Sequence, residues 1–213
     1  MTITEIYKKH KIMPNLQLHM LRVAAVAKYI ADNATEHLDT NSIIKATLLH
    51  DMGNIIKFKL GYLPEALQPE GLEYWQGVKN EFVAKYGNDE HIATHKIAEE
   101  LGLKSREMEL LDAIGFAQSP QNSSHSDLEK KICAYSDYRV SPSGVTTLEV
   151  RLRDSQKRFL LNKNVTDQDR FEELSEGMRK IEKQIFAKSK IRHENITGNT
   201  VAPIIEELKN FEI

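Results

Sequence analysis

Apolar residues recur at three- and four-residue intervals along most of this chain, and no segment alternates apolar and polar residues convincingly at strand spacing. That pattern restricts the chain to helices packed on helices, an all-α fold. Leu16, Met20, Val23, Ala27 and Ile30 mark one amphipathic helix after the start signal Pro14-Asn15. On the next helix Ile44, Leu48 and Asp51 share one face, with Ile43, Thr47 and His50 beside it, and Asp39-Thr40-Asn41-Ser42 offers several N-caps. Gly61, Pro64 and Pro69 break the stretch between Asn54 and Gly71 into short turns. Trp75, Val78, Phe82 and Tyr86 follow at helical spacing, Gly87 is the stop, and Asn88 is the expected cap of a helix carrying His91 and His95 on one face. A further helix is expected from Ser105 to Ala117, ended by the polar run Ser119 to Ser124. Ser126-Asp127-Leu128-Glu129 then reads as a capping box, as do Thr146 with Glu149 and Thr166 with Asp169, and a last short helix is expected from Thr200 to Asn210.

A chain of 213 residues is long enough for one sizeable core. Residues 1–145 are read as the core domain and 146–213 as a helical extension that packs on it or serves a homo-oligomer, because 156–192 is rich in charge with one narrow apolar face (Phe159, Leu160, Phe171, Leu174, Met178, Ile181, Ile185). With 29 basic and 31 acidic residues there is no global basic field, so a nucleic-acid partner is not expected. The single cysteine, Cys133, excludes an internal disulfide and a multi-cysteine zinc site and fits a reducing compartment. Met1-Thr2-Ile3-Thr4-Glu5 does not open a signal peptide, and no run approaches the roughly 18 apolar residues of a membrane span. The expected location is the cytoplasm.

The stretch Ala46 to Asn54 carries the chemistry: an apolar run drives a helix into the core and ends, just before Gly53, in the adjacent imidazole and carboxylate of His50 and Asp51. Burying that pair is costly unless something coordinates it. His19 on the first core helix and Asp137 near the end of a late one supply partners, and two imidazoles with two carboxylates suit Mn, Fe, Co, Ni or Zn, with Mg also admissible.

His19-Met20-Leu21-Arg22-Val23, Leu48-Leu49-His50-Asp51-Met52-Gly53 and Ala134-Tyr135-Ser136-Asp137-Tyr138-Arg139 stand in the order and spacing that resemble the HD-domain metal-dependent phosphohydrolases, over roughly residues 15 to 140. The resemblance implies an HD-type helical bundle in which His19, His50, Asp51 and Asp137 hold one divalent transition-metal ion, with positions left open for water and a phosphoryl oxygen. It implies hydrolysis of a phosphate monoester or anhydride of a small molecule, a nucleotide foremost, with Asp51 also orienting the nucleophile. His91 resembles an extra histidine of several family branches. At i, i+4 spacing, His91 and His95 are candidate catalytic groups, as general acid or electrostatic clamp, or ligands of a second ion. Binuclear branches carry further histidines where this chain has Ile114-Gly115-Phe116-Ala117-Gln118, so a second ion is not expected.

Asn54 stands where other branches place an acid or a lysine; it can exchange hydrogen bonds with substrate but cannot act as a general base. Arg22, Lys57 and Arg139 are the other candidate substrate contacts, since they lie near the ligands in sequence and guanidinium groups clamp phosphate bidentately. Tyr62 and Tyr138 are candidates to stack on a base, and Trp75 is assigned to the core. A non-catalytic metal- and nucleotide-binding sensor is the alternative, motivated by Asn54 and the absent histidines.

Overall fold

The periodic apolar stripes become eleven α-helices in the computed structural model, which describes residues 1–62, 64–160 and 165–213. The expected apolar positions Phe159 and Leu160 and the expected Thr166 cap lie outside the described side chains. In chain order the helices are α1 Ile3–Lys9, α2 Pro14–Asp32, α3 Thr40–Leu49, α4 Gly71–Tyr86, α5 Glu90–Glu100, α6 Ser105–Asp112, α7 Ser119–Ser124, α8 Leu128–Tyr138, α9 Leu148–Leu160, α10 Val165–Phe186 and α11 Gly198–Leu208. The only strands among the described residues form a two-residue antiparallel hairpin, Val140–Ser141 with Gly144–Val145, so the fold is all-α. No described helix is long and apolar enough to cross a membrane.

α2 is the central rod. Met20, Val23, Ala24, Ala25, Val26 and Ala27 are all fully buried, because α3, α8 and α11 pack around it. Small residues in that run let the neighbouring helices approach closely. On α10, Phe171, Leu174, Met178, Ile181 and Ile185 are buried against α7 and α8. The narrow apolar face of the charged C-terminal region is therefore used within the chain, continuous with the main core.

α3 and α8 determine where the chemistry can occur. Asp39 caps α3 by accepting from the Ser42 N–H at 3.0 Å, and its own N–H donates to Glu129 near the start of α8 at 2.7 Å. Arg106 on α6 grips the start of α8 through Asp127 and Glu129. The two helices thus begin side by side, and their C-terminal ends converge on His50 and Asp137, where both helix dipoles favour a cation.

Several local expectations are corrected. The caps of α5 and α8 are Asp89 and Asp127, one residue after Asn88 and Ser126; each carboxylate takes N–H groups at a helix start, a charge-assisted bond. α9 begins at Leu148, with Thr147 Oγ1 accepting from the Val150 N–H, so Thr146 is not its cap. α6 stops at Asp112, and the polar run expected to be a break is itself the helix α7. Its buried polar groups find backbone partners: Ser119 Oγ donates to the Leu174 carbonyl at 2.7 Å and Asn122 Nδ2 to the Ala113 carbonyl at 2.8 Å. The helix α1, capped by the reciprocal Thr2–Glu5 pair, has no counterpart in the sequence expectations.

Candidate metal centre

Three segments far apart in sequence meet at one point. His19 projects from the first half of α2, His50 and Asp51 follow the last residue of α3, and Asp137 lies in the last turn of α8. His19, His50 and Asp51 each bring one ligand atom within 4.8 Å of the others. Asp137 Oδ1 stands 3.1 Å from His19 Nε2 and 3.5 Å from His50 Nε2, and Asp51 Oδ2 is 3.5 Å from His19 Nε2.

The surroundings set the protonation of His50. Its Nδ1 lies 2.8 Å from the Thr47 carbonyl and donates there, which leaves the Nε2 lone pair facing the cluster. That Nε2 is buried and has no hydrogen-bond partner, as expected of a nitrogen whose partner is an ion. Tyr7 supports the same helix end from α1, its hydroxyl donating to the Leu48 carbonyl at 2.6 Å. Burial alone would lower the His50 pKa, yet Asp51 and Asp137 outweigh it and push it up to about 9. Burial likewise raises the Asp137 carboxyl, but the His19 and His50 imidazoles hold it far below the usual carboxylate range. Without an ion, a proton on His50 takes the cation's place between the carboxylates. The donor set therefore fits a divalent metal, which would replace that proton: two imidazoles, two carboxylates and a buried orphan nitrogen.

Two clefts open on either side of the cluster, of about 380 and 440 Å³, with Asp51, Lys57 and Asp137 lining both. His91 and His95 reach the smaller cleft from α5 and lie outside the cluster of His19, His50 and Asp51. His91 is 80% exposed, and His95 Nε2 is paired with Asp112 Oδ1 at 2.5 Å. The larger cleft receives Arg22 and Asn54, and Lys57 sits between the two, 3.8 Å from Glu90.

Arg139 is the expected substrate contact that the structure places elsewhere. It is 1% exposed, and its guanidinium donates to the Thr146, His193 and Ile196 carbonyls and to the Tyr135 hydroxyl. It faces away from Asp137 because residues two apart at a helix end point to nearly opposite sides, and its fork ties α8 to the C-terminal segment. Tyr138 is buried with its ring stacked on Phe116, Tyr62 is 84% exposed, and Trp75 is in the core as expected.

One residue in the larger cleft escaped the sequence expectations. Arg151 on α9 lines it, with the guanidinium over the Tyr138 ring at 5.4 Å. No local motif marks Arg151; its place depends on the hairpin that returns the chain over α8.

Gly53 explains why the turn after Asp51 carries a glycine. A Cβ there would stand 2.3 Å from the Glu90 carbonyl oxygen and 2.9 Å from the Thr94 nitrogen, and the Gly53 N–H donates to Thr94 Oγ1 at 2.9 Å. α5 thus rests directly on the turn that holds the ligands. Gly53→Ala is expected to destabilise the fold by about 3 kcal/mol, the upper end of overpacking costs, because backbone cannot yield as a side chain can. Chemical denaturation checks this, and an unchanged midpoint would contradict the contact.

The family model described as HD domain matches residues 17–139, more than half of the chain and the whole stretch from His19 to Asp137. No curated protein and no solved structure matches the chain.

Proposed function

The chain belongs to the HD-domain family, a superfamily of metal-dependent phosphohydrolases, and on that premise we propose that it hydrolyses a phosphate monoester or anhydride of a small molecule, a nucleotide foremost. The observation that carries this reading is the convergence of His19, His50, Asp51 and Asp137 around the buried, unpartnered His50 Nε2. These four side chains would hold one divalent transition-metal ion. When bound, such an ion acidifies water and stabilises charge developing on a phosphoryl group.

The chain's own residues do the rest. The Thr47 carbonyl fixes the His50 tautomer, so the ligand nitrogen needs no reorientation. Asp51 lines both clefts, which supports a role for it in orienting the attacking water. Lys57 offers a cation to phosphate oxygens, and His91, in its protonated form, can donate a proton to the leaving group from α5. Asp112 holds the orientation of His95. Clefts of this size suit a small organic phosphate.

Metal content together with phosphate release from mononucleotides, dinucleotides and cyclic nucleotides tests the proposal. His91→Gln is expected to lower kcat about a hundredfold while the metal stays bound. Absence of turnover by metal-replete protein across the panel would overturn it. One observation favours a second reading, a nucleotide sensor: among the described residues lining the larger cleft, the only carboxylates are the ligands Asp51 and Asp137, and Asn54 supplies no base. Tight nucleotide binding without turnover is its signature.

A further inference from the structure

The larger cleft contains two cations that the proposed hydrolysis leaves without a role. Arg151 has Nε and one terminal nitrogen buried with no hydrogen-bond partner. Its guanidinium lies over the Tyr138 ring, 5.4 Å from the centroid, and these two in-plane donors remain unfilled. A buried, unpaired guanidinium nitrogen is costly unless a ligand completes it. Arg22, one helical turn after His19, lines the same cleft with its guanidinium carbon 3.9 Å from where a Cβ on Gly144 would stand, and it makes no ion pair or hydrogen bond among the described residues. The carboxylates of this cleft, Asp51 and Asp137, already face the two histidines. Lys57 is turned in part toward Glu90, so the arginines are the free cations here.

We infer that Arg151 and Arg22 bind a second phosphate group of the substrate, one that is not hydrolysed, while the reacting phosphoryl group lies at the His19-His50-Asp51-Asp137 cluster next to them. This rests on the proposed hydrolase reading and narrows it: the substrate carries at least two phosphate groups, as a nucleoside diphosphate does. The fork of each guanidinium matches two oxygens of one phosphate, and an arginine already held by an aromatic ring loses little freedom on binding.

The test uses the full-length, Mn-loaded protein and two probes, inorganic pyrophosphate and inorganic phosphate, with binding measured by calorimetry and the unfolding midpoint recorded for every variant. Wild type is expected to bind pyrophosphate at least about tenfold more tightly than phosphate. Arg151→Met keeps an apolar stem against Tyr138 and removes the unpaired charge, so its midpoint should hold or rise. Its pyrophosphate affinity should fall about tenfold or more and its phosphate affinity less than about threefold, since each charge-assisted pair contributes roughly an order of magnitude. Arg22→Met should repeat this loss, and it supplies the test if Arg151→Met does not fold.

Equal binding of both anions by wild type, or unaltered pyrophosphate binding in the variants, would overturn the inference. Arginine-dependent pyrophosphate binding by a protein that turns over no nucleotide would instead sink the hydrolase reading and keep the anion site. Turnover of nucleoside monophosphates unaffected by both substitutions would keep the hydrolase and remove the site.

Discussion

Asp51→Asn is expected to abolish stable metal retention and to lower kcat/KM by at least about a thousandfold, equivalent to roughly 4 kcal/mol of transition-state stabilisation. The substitution keeps the shape of the side chain and removes its charge. Asp51 is partly exposed at the junction of both clefts, so the fold should tolerate the change. Two further losses follow. One of the two carboxylates that offset the ion's charge disappears, and with it one of the two carboxylates that raise the His50 pKa. The variant's His50 should therefore titrate below the wild-type value of about 9. In wild type below that pH an incoming ion must displace the His50 proton, so apparent metal affinity should rise with pH up to about 9. In Asp51→Asn the rise should end at lower pH, on a weaker plateau. Competition titrations with a chromogenic chelator across pH, alongside phosphate release, measure both effects. Full metal occupancy with undiminished turnover would show that Asp51 is not a ligand.

The clustering of His19, His50, Asp51 and Asp137 was legible in the sequence from their order and spacing taken together, since each alone is a weak signal. His19 rides beside the stripe of α2, His50-Asp51 ends an apolar helix, and Asp137 ends a capped one, so helix periodicity brought the imidazoles and carboxylates to element ends facing a common core. Arg139 and Arg151 were not legible for the opposite reason. Both side chains act through contacts made across the hairpin and the C-terminal segment, as in the bonds from Arg139 to Thr146, His193 and Ile196. Such contacts have no period and no fixed spacing. Proximity in sequence to Asp137 favoured Arg139, but residues two apart at a helix end point to nearly opposite sides, and Arg139 is buried. The polar run that forms α7 misled for a related reason: serine and asparagine favour breaks in isolation, yet here tertiary acceptors on Leu174 and Ala113 satisfy them inside a helix.

Arg139→Met should be the most destabilising of the substitutions considered, by about 3–5 kcal/mol, while leaving KM for any phosphate substrate unchanged within about twofold. Methionine fills much of the volume of the arginine stem, so the cost comes from acceptors rather than from a cavity. The Thr146, His193 and Ile196 carbonyls and the Tyr135 hydroxyl all lose a donor, and the bonds to Tyr135 and Ile196 are buried. Tyr135 also donates to Glu182 on α10 at 2.5 Å, so the arginine and the tyrosine join α8, α10 and the segment before α11 in one network. Loss of the guanidinium leaves Glu182 beside a phenol whose cationic neighbour is gone. For a domain of this size, 1 kcal/mol corresponds to roughly 2–4 °C, which puts the melting midpoint about ten degrees lower. The decisive comparison is between thermal stability and KM: a substrate-clamping arginine would raise KM with little change in midpoint, and that result would return Arg139 to the cleft. A lower midpoint with unchanged KM assigns Arg139 to holding the C-terminal helices on the bundle.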